Sequence, residues 1–75
     1  MKPSRKKTIG KKIAAARKVA RLTRREVILA MRDKGYDLTE YTLFKWEKGD
    51  TTPSADRLPA LAEALKVDAG YFFAL

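Results

Sequence analysis

The chain has 75 residues, no cysteine and no histidine, and a formal net charge of +8 from 17 Lys or Arg against 9 Asp or Glu. That length makes one domain near the lower limit for a core without staples, and the missing residue types exclude disulfides, thiolate or imidazole metal sites and imidazole catalysis. No apolar run is long enough to cross a bilayer, and no apolar stretch with a cleavage site follows the basic N-terminus, so a small cytoplasmic domain without a membrane partner is expected.

The charge is unevenly placed. The first 25 residues carry eleven basic side chains and no carboxylate, whereas from Glu26 onward nine acids outnumber six bases. A positive end on a nearly neutral body attracts a polyanion, and nucleic acid is the commonest one that a compact basic domain meets. A solvated tail is the plain alternative, but the basic run continues into an amphipathic helix instead of ending as a loose arm.

Residues 1–7 are polar and basic, contain Pro3, and read as a mobile N-terminal arm carrying Arg5, Lys6 and Lys7. Thr8 can cap a first helix whose apolar positions Ile9, Ile13, Ala16 and Ala20 recur at helical spacing, with Lys11, Lys12, Lys18 and Arg21 on the opposite face. Thr23-Arg24-Arg25-Glu26 is a capping box, and Leu22 with Val27 forms its hydrophobic staple. The second helix runs to Lys34, and Gly35 is the natural left-handed residue beyond it, with Tyr36 packing back on Met31.

The same start signal recurs at Leu38-Thr39 with Leu43 and at Val67-Asp68 with Phe72. Gly49 ends the third helix. Pro59 falls in a permitted first-turn position if Asp56 caps the fourth helix, which then starts near Arg57 with Leu58, Leu61, Ala62 and Leu65 inward. The expectation is an all-α domain of five short helices over residues 8–75, preceded by the arm.

Two of these helices, Arg24 to Lys34 and Glu40 to Lys48, are joined by a Gly-containing turn in a helix-turn-helix arrangement. In the second, Leu43 and Trp46 point to the core, leaving Glu40, Tyr41, Thr42, Lys45 and Lys48 outside. A helix that reads base edges in the major groove needs this division.

The sequence here resembles the XRE-type family of phage-repressor and Cro-like helix-turn-helix domains. The likeness runs from about Ile9 to Leu75. It rests on Ile9-Gly10 with Ile13 and Arg17, on Leu22-Thr23-x-x-Glu26-Val27, and on Thr39-x-x-Thr42-Leu43-x-Lys45-Trp46-Glu47-Lys48-Gly49. Pro53, Leu61-Ala62-x-Ala64-Leu65-x-Val67 and Tyr71-Phe72-Phe73 complete it. The family has five compactly packed helices, binds double-stranded DNA and usually regulates transcription. Two departures stand out: Arg24 replaces the family's frequent Gln at the start of the second helix, and the stretch from Met31 to Thr39 is several residues longer than its usual turn.

By position, the resemblance implies that Glu40, Tyr41 and Lys45 read bases, and that Arg24, Thr39 and Lys48, together with Arg25 and Thr42, contact the DNA backbone. Lys45 can donate to guanine, Glu40 can accept from cytosine N4, and Tyr41 can meet a thymine methyl or a phosphate. Plainer readings stay open: solvated charges for Lys45 and Lys48, a helix-dipole partner for Glu40, an ordinary exposed aromatic for Tyr41. Arg5, Lys6 and Lys7 either reach into the minor groove or trail as a tethered tail.

The family also implies that Arg17 and Glu47 form a structural ion pair clamping the first and third helices. Trp46 and Tyr71-Phe72-Phe73 are expected in the core, part of that cluster with Leu75 forming a dimer surface. Phe44 stands where the family is usually polar, and the sequence assigns it no role.

These readings lead to a sequence-specific regulator of transcription, repressor-like, binding a palindromic operator as a homodimer. The alternative is an antitoxin or adaptor using the same fold to hold a protein partner, a toxin or a regulator. A cationic helix lying on a membrane surface is disfavoured because Ala14-Ala15-Ala16 offers little apolar bulk. With no nucleophile–base pair and no metal cluster in the sequence, neither an enzyme nor a cofactor or metal is expected.

Overall fold

A computed structural model describes residues 5–73. Among them are four α-helices, α1 (Arg5–Val19), α2 (Arg24–Asp33), α3 (Glu40–Lys48) and α4 (Leu58–Ala64), then a 3-10 helix, Ala69–Phe73. The architecture is all-α. The expected fifth helix is the 3-10 turn: its Tyr71 N–H bonds to Asp68 O at 2.9 Å, an i→i+3 closure. Five residues are too few to repay an α-helical nucleus, and the tighter turn makes its first bond sooner.

The helix starts are written locally. Thr23 Oγ1 accepts from Glu26 N at 3.1 Å while Glu26 Oε1 accepts from Thr23 N at 2.9 Å, closing the capping box of α2. These bonds, the one from the Thr23 backbone first, hold the Glu26 carboxyl below its ordinary value of 4.5. A depressed acid stabilises the fold above its unfolded value and ceases to as pH falls through the lower folded one. Thermal melts in that acid window should therefore show a loss that Glu26→Gln lacks; identical profiles would deny the box its charge. Thr39 caps α3 in the same way, accepting from Thr42 N at 3.1 Å.

Two starts differ from expectation. α1 begins at Arg5, so Thr8 lies inside it and does not cap it, and residues 5–7 are helical, not an arm. The first turn has tertiary support, because Lys7 Cα lies 2.9 Å from where a Cβ on Gly49 would stand. Nor does Asp56 cap α4: the N-cap is Arg57, in αR geometry without a side-chain bond, and Pro59 lies within the first two positions. A turn closed by Arg57 N to Ser54 O at 3.0 Å leads the chain in, and hydrogen bonding from Ser54 holds the Asp56 carboxyl below its ordinary value.

All four α-helices end alike. The N–H groups of Leu22, Tyr36, Asp50 and Val67 reach back to Arg17, Met31, Lys45 and Ala62 carbonyls at 2.9–3.1 Å, around left-handed residues Arg21, Gly35, Gly49 and Lys66. This is the Schellman closure, which normally takes glycine. Arg21 (φ 58°) and Lys66 (φ 63°) hold it with a Cβ, at a cost of about 1–2 kcal/mol. Arg21 thus lies past the end of α1 and not on its outer face. Lys66→Gly relieves that strain and loses about 0.5–1 kcal/mol to glycine's greater chain entropy. The expected result is a melting point higher by roughly 4 °C; a lower one would show that Lys66 makes a compensating contact.

The core gathers Ile9, Ile13 and Ala16 of α1, Val27, Ile28 and Met31 of α2, Leu43 and Trp46 of α3, Leu58, Leu61 and Leu65 around α4, and Phe72. The staple residues Leu22 and Val67 pack against it, and Leu38 is buried within it. α1 lies most extensively on α3, α2 meets α3 and α4, and the 3-10 helix closes against α1 and α4. Lys12 belongs to that closure and not to the outer charged face. Its Nζ donates to Tyr71 O at 3.1 Å and sits 4.9 Å above the Tyr71 ring, and the Tyr71 hydroxyl donates to Lys12 O at 3.3 Å. Leu75 lies outside the described residues, as do residues 1–4 and the side chains of Arg5, Lys6 and Phe73. No described helix is long and apolar enough to cross a membrane.

Candidate nucleic-acid interface

α3 is anchored from beneath and open above. Leu43 is fully buried and Trp46 is 4 % exposed. On the other side Glu40, Tyr41 and Lys48 are exposed, and Thr42 and Lys45 are half-buried. The cause is the 3.6-residue period: positions 43 and 46 share a face, and 41, 45 and 48 fall on the remainder. Thr39 and Thr42 share a hydroxyl–hydroxyl bond of 3.0 Å, so both are held at the N-terminal turn. Tyr41, 66 % exposed, lies under Lys45, whose Nζ is 5.5 Å from the ring centroid.

The face is held at a fixed height by Glu47. Its side chain is 5 % exposed and receives Arg17 bidentately, Nε to Oε2 at 2.9 Å and Nη2 to Oε1 at 3.1 Å. Arg17 Nη1 also donates to Leu22 O at 2.9 Å, so one guanidinium joins α1, the α1–α2 turn and α3. A planar fork suits this task, which a lysine's point charge does not. Gly10 permits the approach. A Cβ there would meet Trp46 O and lie 2.8 Å from Glu47 O, so α1 crosses α3 with backbone against backbone.

Arg24, at the start of α2, joins the same carboxylate with Nη2 3.3 Å from Glu47 Oε1, its side chain 38 % exposed. It also lies over Phe44, with Cζ 5.1 Å from the ring centroid, and Lys48 Nζ approaches that ring to 5.3 Å. This contact is what the sequence left unassigned for Phe44. No local spacing signals it, because Arg24 and Phe44 are brought together only by the angle between α2 and α3. Lys48 pairs as well with Asp50 at 3.4 Å. Arg25 is exposed on α2, and Lys7 is exposed near the N-terminus of α1.

A family model for the helix-turn-helix matches residues 35–72, half of the chain. The chain belongs to the XRE-type helix-turn-helix family. It is accordingly a DNA-binding helix-turn-helix regulator. No curated protein and no solved structure matches it. The family match begins at Gly35, inside the connection between α2 and α3. That connection is a Schellman closure at Gly35 followed by an irregular run to the Thr39 cap, with Leu38 buried and Tyr36 donating to Asp56 O at 3.2 Å. The connection is thus tied down at both ends.

Proposed function

We propose that this helix-turn-helix domain is a sequence-specific regulator of transcription, repressor-like, that lays α3 in the major groove of double-stranded DNA. The observation carrying this reading is the division of α3, with Leu43 and Trp46 sealed below and Glu40, Tyr41 and Lys45 presented above. In this reading those three residues meet base edges, and Arg24, Arg25, Thr39, Thr42 and Lys48 meet the backbone and set the register. The basic N-terminal residues Arg5, Lys6 and Lys7 then strengthen attraction to the duplex as part of α1. A homodimer on a palindromic operator, with half-sites about 34 Å apart, suits the fold.

Selection of bound duplexes from a random pool tests the proposal. A palindromic consensus is expected, and wild-type affinity should fall steeply with salt as backbone phosphates release counterions. Lys45→Ala should relax preference at particular base pairs, at about 1–3 kcal/mol each. Equal loss on every duplex would remove Lys45 from the base-reading set. Recovery of no consensus, with a co-purifying protein that blocks DNA binding, would favour the antitoxin or adaptor reading instead.

A further inference from the structure

Two cations from different helices converge on one aromatic ring. Arg24 Cζ stands 5.1 Å and Lys48 Nζ 5.3 Å from the Phe44 centroid, and Phe44 itself is 37 % exposed. The ring's negative face attracts each cation, yet the cations repel one another. Nor does Glu47 discharge Arg24. Both of its oxygens are already held by Arg17, and Arg24 shares one of them at the longer distance of 3.3 Å.

Stability alone does not favour this pose. Arg24 Nε is buried with no acceptor, an unmade bond that a folded protein normally avoids. Lys48 has Asp50 at 3.4 Å, but both side chains are about half exposed, so water and salt loosen the pair. A net positive charge therefore remains beside the ring, in place before any ligand arrives.

We propose that Arg24, Phe44 and Lys48 form one anion site for a single phosphate of the nucleic-acid backbone, with Phe44 as its positioning residue. The inference rests on the major-groove reading above and adds a residue to it. The guanidinium and the ammonium each donate to phosphate oxygens, and the ring holds each of them beside it, so less ordering is left to do on binding. Phe44 makes no hydrogen bond of its own and reads no base.

The test uses the full chain with Phe44→Leu, which removes the ring but keeps apolar bulk, and Phe44→Tyr, which keeps the ring. Phe44→Met serves if the leucine variant fails to melt cooperatively. Inorganic phosphate is titrated first, followed by NMR at the Arg24 Nε–H and Lys48 Nζ signals. Saturable shifts are expected in the wild type and Phe44→Tyr, and affinity weaker by about three- to fivefold in Phe44→Leu, the size of an exposed cation–π contact. With duplex DNA, Phe44→Leu should flatten the slope of log affinity against log salt by about one, equally on all sequences. Arg24→Gln should then add little to Phe44→Leu.

Unchanged phosphate affinity and salt slope in Phe44→Leu, or additive losses with Arg24→Gln, would overturn the inference and leave the DNA reading standing. A changed preference at one base pair would also overturn it, making Phe44 a base contact. Phosphate binding that depends on the ring, in a protein that binds no duplex, would keep the site and defeat the DNA reading.

Discussion

Glu47→Ala should destabilise the domain by about 3–5 kcal/mol, the cost of leaving a buried charge without its partner. The Glu47 side chain is 5 % and that of Arg17 13 % exposed, so solvent cannot take over the lost pairing for Arg17. Arg24, more than a third exposed, adds little to this sum. A domain of this size has only about 4–11 kcal/mol to lose, so the variant should melt at least about 12 °C lower or be partly unfolded at room temperature. Chemical denaturation measures the loss. The paired replacement of Arg17 by Met and Glu47 by Leu should recover much of it, since apolar residues of similar volume remove the orphaned charge. A single Glu47→Ala variant within about 1 kcal/mol of wild type, the value of an ordinary exposed pair, would show that the clamp is solvated in solution.

Gly10→Ala is the second large effect, and its sign opposes helix propensity. In an exposed helical position alanine would stabilise by roughly 1 kcal/mol relative to glycine. Here the new methyl meets Trp46 O and stands 2.8 Å from Glu47 O, both backbone atoms that cannot rotate aside. α1 must lift from α3, loosening the packing of Ile13 and drawing Arg17 away from Glu47. A net destabilisation of about 2–3 kcal/mol is expected, the usual cost of an overpacked contact. Ala15→Gly, at an exposed position of the same helix, supplies the control and should cost only about 1 kcal/mol. A Gly10→Ala protein more stable than wild type would mean that α1 and α3 lie farther apart than the structure has them.

Both effects bear on the proposed function because they act on the seat of α3 and not on its outer face. Conservative repairs that restore stability but tilt α3 should lower duplex affinity without changing which bases are preferred. Loss at Lys45 is expected to change the base preference itself.

The amino-acid sequence by itself determined the parts of this protein whose signals lie within one turn of a helix. The Thr23–Glu26 box, the Thr39 cap, the left-handed Gly35 and Gly49, and the burial of Leu43 and Trp46 three residues apart all depend on neighbours at i+3 or i+4. The family likeness to the XRE-type domains was legible for the same reason, being carried by those local patterns in order. Tertiary structure alone decided the rest. The resemblance implies a backbone contact for Arg24, but only the angle at which α2 meets α3 delivers it to Glu47 and Phe44. Helical spacing puts Lys12 on the face of α1 opposite the apolar one, but Tyr71, 59 residues along the chain, folds over it. The αL positions of Arg21 and Lys66 carry no glycine to announce them, because the Schellman closure and the packing after it outweigh the local strain. Contacts between residues far apart in sequence leave no periodic trace, so they appear only when the helices are set against one another.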